Sequence, residues 1–588
     1  MPTITRQLES AFTAAIKAAF GFDADPLVSV AQNESFGDYQ SNAAMGLAKR
    51  VAEATGAKTN PRTVAEQIKS KLTLPDAAAT VSIAGPGFIN VKFSPGWMSE
   101  QMDRIAASPR LGVDPVEKPQ TVVVDYSGPN VAKQMHVGHM RPTIIGDALV
   151  RLLAFQGHHV IRQNHLGDWG TQFGMLILLM GKMGRDGNAK IEDLDAFYKE
   201  ARRQFDADPE VATQSRETVV KLQAGGPAEI ALWNKIVLQS REHFQSIYQR
   251  LGVLLTPDDE RGESFYNPML AQNVADLKAA GVATISEGAT VVFTPGFEAP
   301  LIVQKTGGGF GYAITDLSAA RYRVQTLNAD RVVYVVGAPQ TQHLKQVFSA
   351  AKSAGWSNDA VLEHAMFGSV LGLDGKPYKA RSGESVKLVE LLDEGDDRGY
   401  ALAKSKDDER VERAKEKGET VAPLPESELR RIGHAVGMGA IKYGDLSKDR
   451  IGDYIFSWDS MLAMDGNTAP YLMYAYARIQ SIFRRAADRG ITRTIAPVKL
   501  EAPAELALAR HLLRFADVID SVARELKPHL LCTYLFELAT RFSGFFENCP
   551  VIQSDDPVRS SRLTLCEVTG RTIGLGLELL GIEHPDQM

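Results

Sequence analysis

The chain has 588 residues and a mass of 64.1 kDa, enough for several domains and a sizeable core. Lys and Arg total 65 against 71 Asp and Glu, a net charge of −6 that excludes a globally basic nucleic-acid coat but not a local basic groove. Cys532, Cys549 and Cys566 form no CxxC pair, which argues against a disulfide framework or zinc ribbon and suits a reducing compartment.

An amphipathic helix opens the chain, with Leu8, Phe12 and Ile16 at four-residue spacing. No charged-then-apolar signal layout precedes it, and the apolar run Phe173–Met180 is far shorter than the ~20 residues of a membrane span. A cytoplasmic protein with no membrane partner is therefore expected. Helical patterns flank Glu34–Ser41, and two strand-like runs, Thr80–Ile83 and Phe88–Phe93, follow with Gly85-Pro86-Gly87 as their turn. This gives an α+β module over 1–112, closed by a proline-bearing linker at Leu111–Pro119.

Thr121–Val124 reads as a buried strand, short and β-branched. A loop runs from Tyr126 to His139. A helix follows with Ile144, Ile145, Ala148, Leu149 and Leu152 on one side, Pro142 in its first turn and Gly157 as its stop. His159–Gln163 is the next strand. Strand, loop, helix and strand in this order make a βαβ unit, hence an α/β domain with a parallel sheet, assigned to 119–395. Residues 182–262 are polar and helical, an insertion on that domain. Strands return at Val291–Phe293 and Val332–Val336. The charge-dense Lys404–Lys417 is a solvated helix face within a linking region at 396–454, and 455–588 is an all-α bundle.

The loop after the first sheet strand carries His136-Val-Gly-His139, between the carboxyl end of a parallel strand and a helix N-terminus. Ligands bind in that crevice in open α/β sheets, and helix N-termini favour anions. Two imidazoles around a glycine can donate to a phosphate chain while the glycine admits a flat group against the backbone. A zinc site would need a third ligand, and neither cysteine nor HExxH is nearby. No GxxxxGK[ST] is present, and Gly307-Gly-Gly-Phe-Gly311 has the wrong spacing for a dinucleotide loop and no helix after it. Taken alone, HxGH fits small nucleotidylyltransferases as well as larger synthetases.

The neighbouring residues narrow this. Tyr126-Ser-Gly-Pro-Asn-Val-Ala-Lys-Gln-Met-His-Val-Gly-His-Met-Arg-Pro-Thr-Ile-Ile-Gly146 resembles the HIGH signature of class I aminoacyl-tRNA synthetases, in the form found in the arginyl-tRNA synthetases. His165–Gly174, Tyr312–Asp316, Gln340–His343 and Asp465–Tyr471 are similar to further segments of that family, in the same order along the chain. The resemblance implies a Rossmann-like catalytic domain, an elbow-reading N-terminal module and an anticodon-binding bundle. It also implies a reaction: ATP activates L-arginine to arginyl-adenylate, and tRNA(Arg) accepts the arginyl group, with activation dependent on bound tRNA. Magnesium accompanies ATP; no structural metal is expected, and a monomer is.

Residue roles follow from the resemblance. Pro129, His136, Gly138, His139, His364, Phe367 and Gly368 would bind ATP. Lys376, Lys379 and Arg381, in Lys376–Gly383, stand where the family's KMSKS loop belongs, without an exact KMSKS; Lys133 is a candidate for the missing cation. Asp125 and Asp316 would read the guanidinium, a five-donor fork best met by carboxylates. Tyr312 would pack on the arginine stem, Asn130 and Gln340 would hold its backbone end, and Ser127 lies beside them. Phe88 and Asn90 would touch the tRNA elbow, and Tyr471, Tyr474, Arg478 and the terminal Met588 the anticodon arm, where aromatics can stack unpaired bases.

Overall fold

The computed structural model describes residues 3–31, 33, 35–56, 58–74, 79–170, 172–182, 193–379 and 385–588. The opening helix, Ile4–Phe20, buries Leu8, Phe12, Ala15 and Ile16 and ends at left-handed Gly21. It packs in a module built on a four-stranded antiparallel sheet: β1 (Val28–Val30), β2 (Tyr39–Ser41), β3 (Ala79–Ala84) and β4 (Phe88–Phe93), in the order β1-β2-β4-β3. The expected hairpin is β3 and β4. The two outer strands before it are too short to show alternation in sequence. The module rests on the C-terminal bundle: Thr5 N and Tyr39 Oη donate to Asp517, at 3.0 and 2.7 Å.

The catalytic sheet is parallel, with β5 (Thr121–Asp125) between β6 (His159–Gln163) and a later strand. Val122 and Val124 face one core and Val123 the other, the alternation expected of a strand covered on both sides. The first crossover helix runs Val137–Phe155, so Pro142 lies in its second turn rather than its first. The helix starts earlier than its apolar stripe because His136 caps it. At Pro142 the missing N–H removes one interior hydrogen bond, to the carbonyl of Gly138.

The insertion consists of helices Leu194–Ala207, Pro209–Gln223 and Pro227–Leu251. After it comes a separate antiparallel sheet, β7 (Ala283–Ser286), β8 (Ala289–Val292) and β9 (Leu301–Gln304), with its own core. The expected strand at Val291 belongs here, not to the parallel sheet. A helix does follow the glycine run: Gly311 caps Tyr312–Arg321, a segment too short to stand out by periodicity. The sheet is completed by β10 (Arg331–Tyr334), paired with β5, and β11 (Val361–His364), giving the order β11-β10-β5-β6. The strand order reverses between β5 and β10, so a crevice opens at their carboxyl ends.

Two long helices, Leu388–Glu416 and Glu426–Leu446, join the sheet domain to the bundle; Asp407 in the charge-dense stretch is buried, accepting from Leu424 N at 2.9 Å. Beyond them lie helices Ala469–Asp488, Pro503–Leu512, Phe515–Glu525, His529–Asn548 and Val558–Leu579. The crossover helix is fixed to this assembly by a buried ion pair, Arg141 Nε to Asp445 Oδ2 at 3.1 Å, with both side chains 1% exposed. Among the described residues no helix is long and apolar enough to cross a membrane.

Candidate active site

A cleft of about 600 Å³ occupies the crevice. Asp125, Ser127, Asn130, Tyr312, Asp316, Gln340 and Phe367 all line it, brought together from four separate stretches of chain and joined by His165, Glu263, Tyr334 and His343. The loop between β5 and the crossover helix is shaped by left-handed residues, Ser127 at φ 74°, Gly128 at 58° and Ala132 at 64°. Non-glycine residues in this region carry strain that the surroundings must hold in place. Here Gly128 N donates to Asn164 Oδ1 at 2.9 Å, and Pro129 O accepts from Gly167 N at 3.2 Å. A Cβ on Gly167 would lie 2.2 Å from Asn130 Oδ1, so only glycine allows this approach.

The two signature histidines sit at the helix start beside the cleft. His136 Nδ1 accepts from Gly138 N at 3.0 Å, and His139 Nδ1 accepts from His136 N at 3.2 Å. With Nδ1 accepting in both rings, each neutral imidazole carries its proton on Nε2. Burial lowers both from the usual histidine value, His139 to about 3, and the Lys133 charge adds to the effect. At neutral pH these are uncharged donors. Gly138 is needed as well, since a Cβ there would come within 2.8 Å of the His136 ring. Thr143 Oγ1 connects this turn to the cleft wall, with His139 O at 2.7 Å and Ser127 Oγ at 2.8 Å. Lys133 is exposed, its ammonium 4.5 Å from the centre of the Tyr198 ring on an insertion helix.

The acids differ in their surroundings. Asp125 Oδ2 is 2.9 Å from Nη2 of the fully buried Arg323, whose Nε donates to Gln163 Oε1 at 2.7 Å. A guanidinium of the protein itself thus already matches the Asp125 charge. Asp316 instead meets His343 Nε2 at 2.6 Å and lies 4.0 Å from His165 Nε2. Glu263, at the start of helix Glu263–Ala279, is raised to about 7 by burial and by the charges of Asp168 and Asp316. Sequence reasoning did not single out Glu263, since an acid in a first helical turn is commonplace. His165 and His343 stood inside the quoted motifs without a role. Tyr312 stands at the mouth, 66% exposed, its ring 4.7 Å from that of His343.

His364 ends β11 with Nε2 2.8 Å from Val336 O. Gly368 passes so close to Gly452 O that a Cβ would lie at 2.6 Å. Lys376 and Lys379 do not line the cleft. They border a second groove with Tyr378, Arg398, Phe456 and Trp458. The returning limb of that loop does reach the histidines: Val137 N donates to Val386 O and Leu388 N to Met135 O, at 3.0 and 2.9 Å. Arg381 lies outside the described residues.

The remote positions divide. Phe88 is half-buried on β4, whereas Asn90, between Gln40 and Ser82 of the neighbouring strands, is 1% exposed and presents no surface for a direct contact. Tyr471, Tyr474 and Arg478 share one face of helix Ala469–Asp488; Arg478 Nη2 donates to Tyr474 Oη at 3.1 Å, and Tyr471 meets Phe536. The chain end runs on the opposite face, where Tyr476 packs on His584 and Arg484 donates to Asp586 O. Met588 is partly buried against the core.

A parallel sheet that opens a ligand crevice at its switch point, with a His-x-Gly-His turn capping the first crossover helix, is the arrangement expected of a class I aminoacyl-tRNA synthetase, and the likeness to known proteins separates that class from the smaller HxGH enzymes. The family model for the catalytic domain of class I tRNA synthetases (R) matches residues 102–458. Models of the arginyl-tRNA synthetase N-terminal domain and the DALR anticodon-binding domain match 6–93 and 472–588. The arginine–tRNA ligase of Cellvibrio japonicus is 49% identical over 588 residues, covering 98% of both chains. That of Salmonella typhimurium strain LT2 is 47% identical over 590 residues, covering 99% of both. The crystal structure of the Plasmodium falciparum arginyl-tRNA synthetase superposes with a TM-score of 0.86 at 31% identity, covering both chains fully. The Thermus thermophilus synthetase gives 0.82 at 24% identity, a likeness of fold. The chain belongs to the arginyl-tRNA synthetase family.

Proposed function

We propose that the cleft takes L-arginine and that the enzyme joins it to tRNA(Arg): ATP, L-arginine and tRNA(Arg) give AMP, diphosphate and L-arginyl-tRNA(Arg) through arginyl-adenylate. The observation that carries this is the acid-lined crevice directly beside two neutral, backbone-oriented imidazoles. Asp316 and Glu263 read the guanidinium; Asp125, already matched by Arg323, serves the amino-acid end with Asn130 and Gln340, a different role from the one its motif position suggested. Ser127 lines the floor, and Tyr312 covers the stem from the mouth. His136 and His139 donate through Nε2 to the phosphates as negative charge builds on the leaving diphosphate, with Pro129, Gly138, His364, Phe367 and Gly368 framing the nucleotide. Positioned donors of this kind act where charge develops and need no reorganisation at the moment of reaction.

Magnesium enters with ATP as the phosphate counter-ion; among the described residues no group of three His, Cys, Asp or Glu side chains is placed to hold a metal of its own. Lys133, Lys376, Lys379 and Arg381 supply further positive charge to the phosphates. Phe88, Tyr471, Tyr474, Arg478 and Met588 meet the tRNA, with Asn90 supporting the first of these from within the sheet. The enzyme works as a cytoplasmic monomer. Arginine-dependent labelling of bulk tRNA by the purified protein, with lysine and glutamate as competitors, tests the assignment; labelling by either competitor in place of arginine overturns it. Arginine-dependent ATP–diphosphate exchange is expected only when tRNA is added, and robust exchange without tRNA overturns that coupling alone.

A further inference from the structure

Asp316 is surrounded by titratable groups from every element packed around it. Its own helix contributes Tyr312. Helix Thr341–Ser353 contributes His343, 2.6 Å from Oδ2, and the loop after β6 contributes His165, 4.0 Å from Oδ1; Asp168, from the same loop, acts on Glu263. Helix Glu263–Ala279 contributes Glu263 and Tyr266, and the sheet wall is Tyr334 with the Asp125–Arg323 pair. Within this wall Asp125 is neutralised and Asp168 is occupied by Ser264, which donates to it from N at 2.8 Å and from Oγ at 2.6 Å. Asp316, paired with His343, and Glu263, which accepts from the Trp169 backbone, are the other two carboxyl groups that line the same partly enclosed site.

A carboxyl group that faces another across a partly enclosed site ionises less readily than one in water. The incoming guanidinium cannot give up its own proton. All adjustment therefore falls to the protein. Resting on the reading of this cleft as the arginine pocket, we propose that arginine enters in exchange for a proton, which Glu263 holds in the empty cleft and the guanidinium replaces.

Two features give the exchange one direction. Burial and the charges of Asp168 and Asp316 raise Glu263 to about 7, so its carboxyl is partly protonated in the empty site at neutral pH. A cation between Glu263 and Asp316 favours both ionised forms and drives that proton to solvent. His343 Nε2 lies 2.6 Å from the Asp316 oxygen that a guanidinium needs and must yield that oxygen to the ligand. Arginine affinity thus rises with pH across neutrality. For one group titrating near 7 the dissociation constant is about tenfold weaker at pH 6 than at pH 8. Citrulline, with an uncharged ureido group in place of the guanidinium, has no charge with which to displace the proton.

The test is calorimetric titration of the full chain with L-arginine at pH 6, 7 and 8, each in two buffers of contrasting ionisation enthalpy. Proton release close to one per arginine at pH 6, about half at pH 7 and near zero at pH 8 is expected. Glu263→Gln should flatten this profile. Measurable arginine binding without proton release at all three pH values overturns the inference and leaves arginine as the ligand. Release that is unchanged in Glu263→Gln overturns its assignment to this carboxyl. No arginine binding at any pH, by calorimetry and by equilibrium dialysis, overturns instead the reading of the cleft.

Discussion

The cleft and helix Ala469–Asp488 use polar and aromatic side chains in opposite ways. Beside the cleft the two signature imidazoles are each fixed by a partner that leaves one edge free: both accept at Nδ1, which leaves Nε2 to donate. On the helix, Tyr471 and Tyr474 are half-buried, with Phe536 and Arg478 as neighbours, so one side chain serves packing and presentation together. A substitution in the cleft therefore removes function with little packing, whereas one on the helix mixes the two.

The sharpest way to break that contrast is Asp316→Asn, which keeps shape and removes charge. Truncating one side of a charge-assisted pair costs about 2–5 kcal/mol. The KM for arginine should rise steeply and that for ATP little; equal rises in steady-state kinetics would make Asp316 structural. Next come His136→Ala and His139→Ala, where loss of one positioned donor lowers turnover about 10²–10³-fold. The thermal midpoint should barely move for the half-exposed His136, and unchanged turnover in both variants would remove the phosphate role.

Acid acts on both regions through stability rather than activity. His139 in the site and His511 in the bundle both have folded pKa values lowered to about 3 by burial. The unfolded chain then binds more protons than the folded one below the ordinary histidine value. Stability is whole above it and is lost as pH falls toward the folded value, by about 2 kcal/mol for each histidine between pH 7 and 5. Denaturant midpoints measured across that range check this, and His511→Gln, which carries no titrating ring, should reduce the slope.

Smaller effects are expected on the helix. Tyr474→Ala should weaken tRNA binding by about 1–3 kcal/mol if the ring stacks a base; Tyr474→Phe, measured by filter binding, keeps the stack and loses only the bond from Arg478. Deleting Met588 should matter least, because the tail before it is held on the opposite face by Tyr476 and Arg484. A deletion that weakens tRNA binding more than Tyr474→Ala would make the chain end, not the tyrosine face, the principal contact.

Much of this molecule can be read from its residues in order. The valines of β5, the His136–His139 turn and the spaced motifs define the sheet, the crevice and the family, because strand patterning and helix capping depend on neighbours a few positions away. The convergence of Asp125, Asn130, Tyr312, Asp316 and Gln340 on one cleft was legible through the same motifs. Tertiary contacts alone decided the rest. Asp125 is matched because Arg323, far along the chain, is buried beneath it. Burial, together with the charges of Asp168 and Asp316, raises the Glu263 carboxyl, and no local spacing connects these residues to it. Val291 joins a separate sheet because its partners are β7 and β9 rather than β5. The charge state of a carboxyl and the partner of a strand are set by what lies across the gap in three dimensions, and residue order does not carry that information.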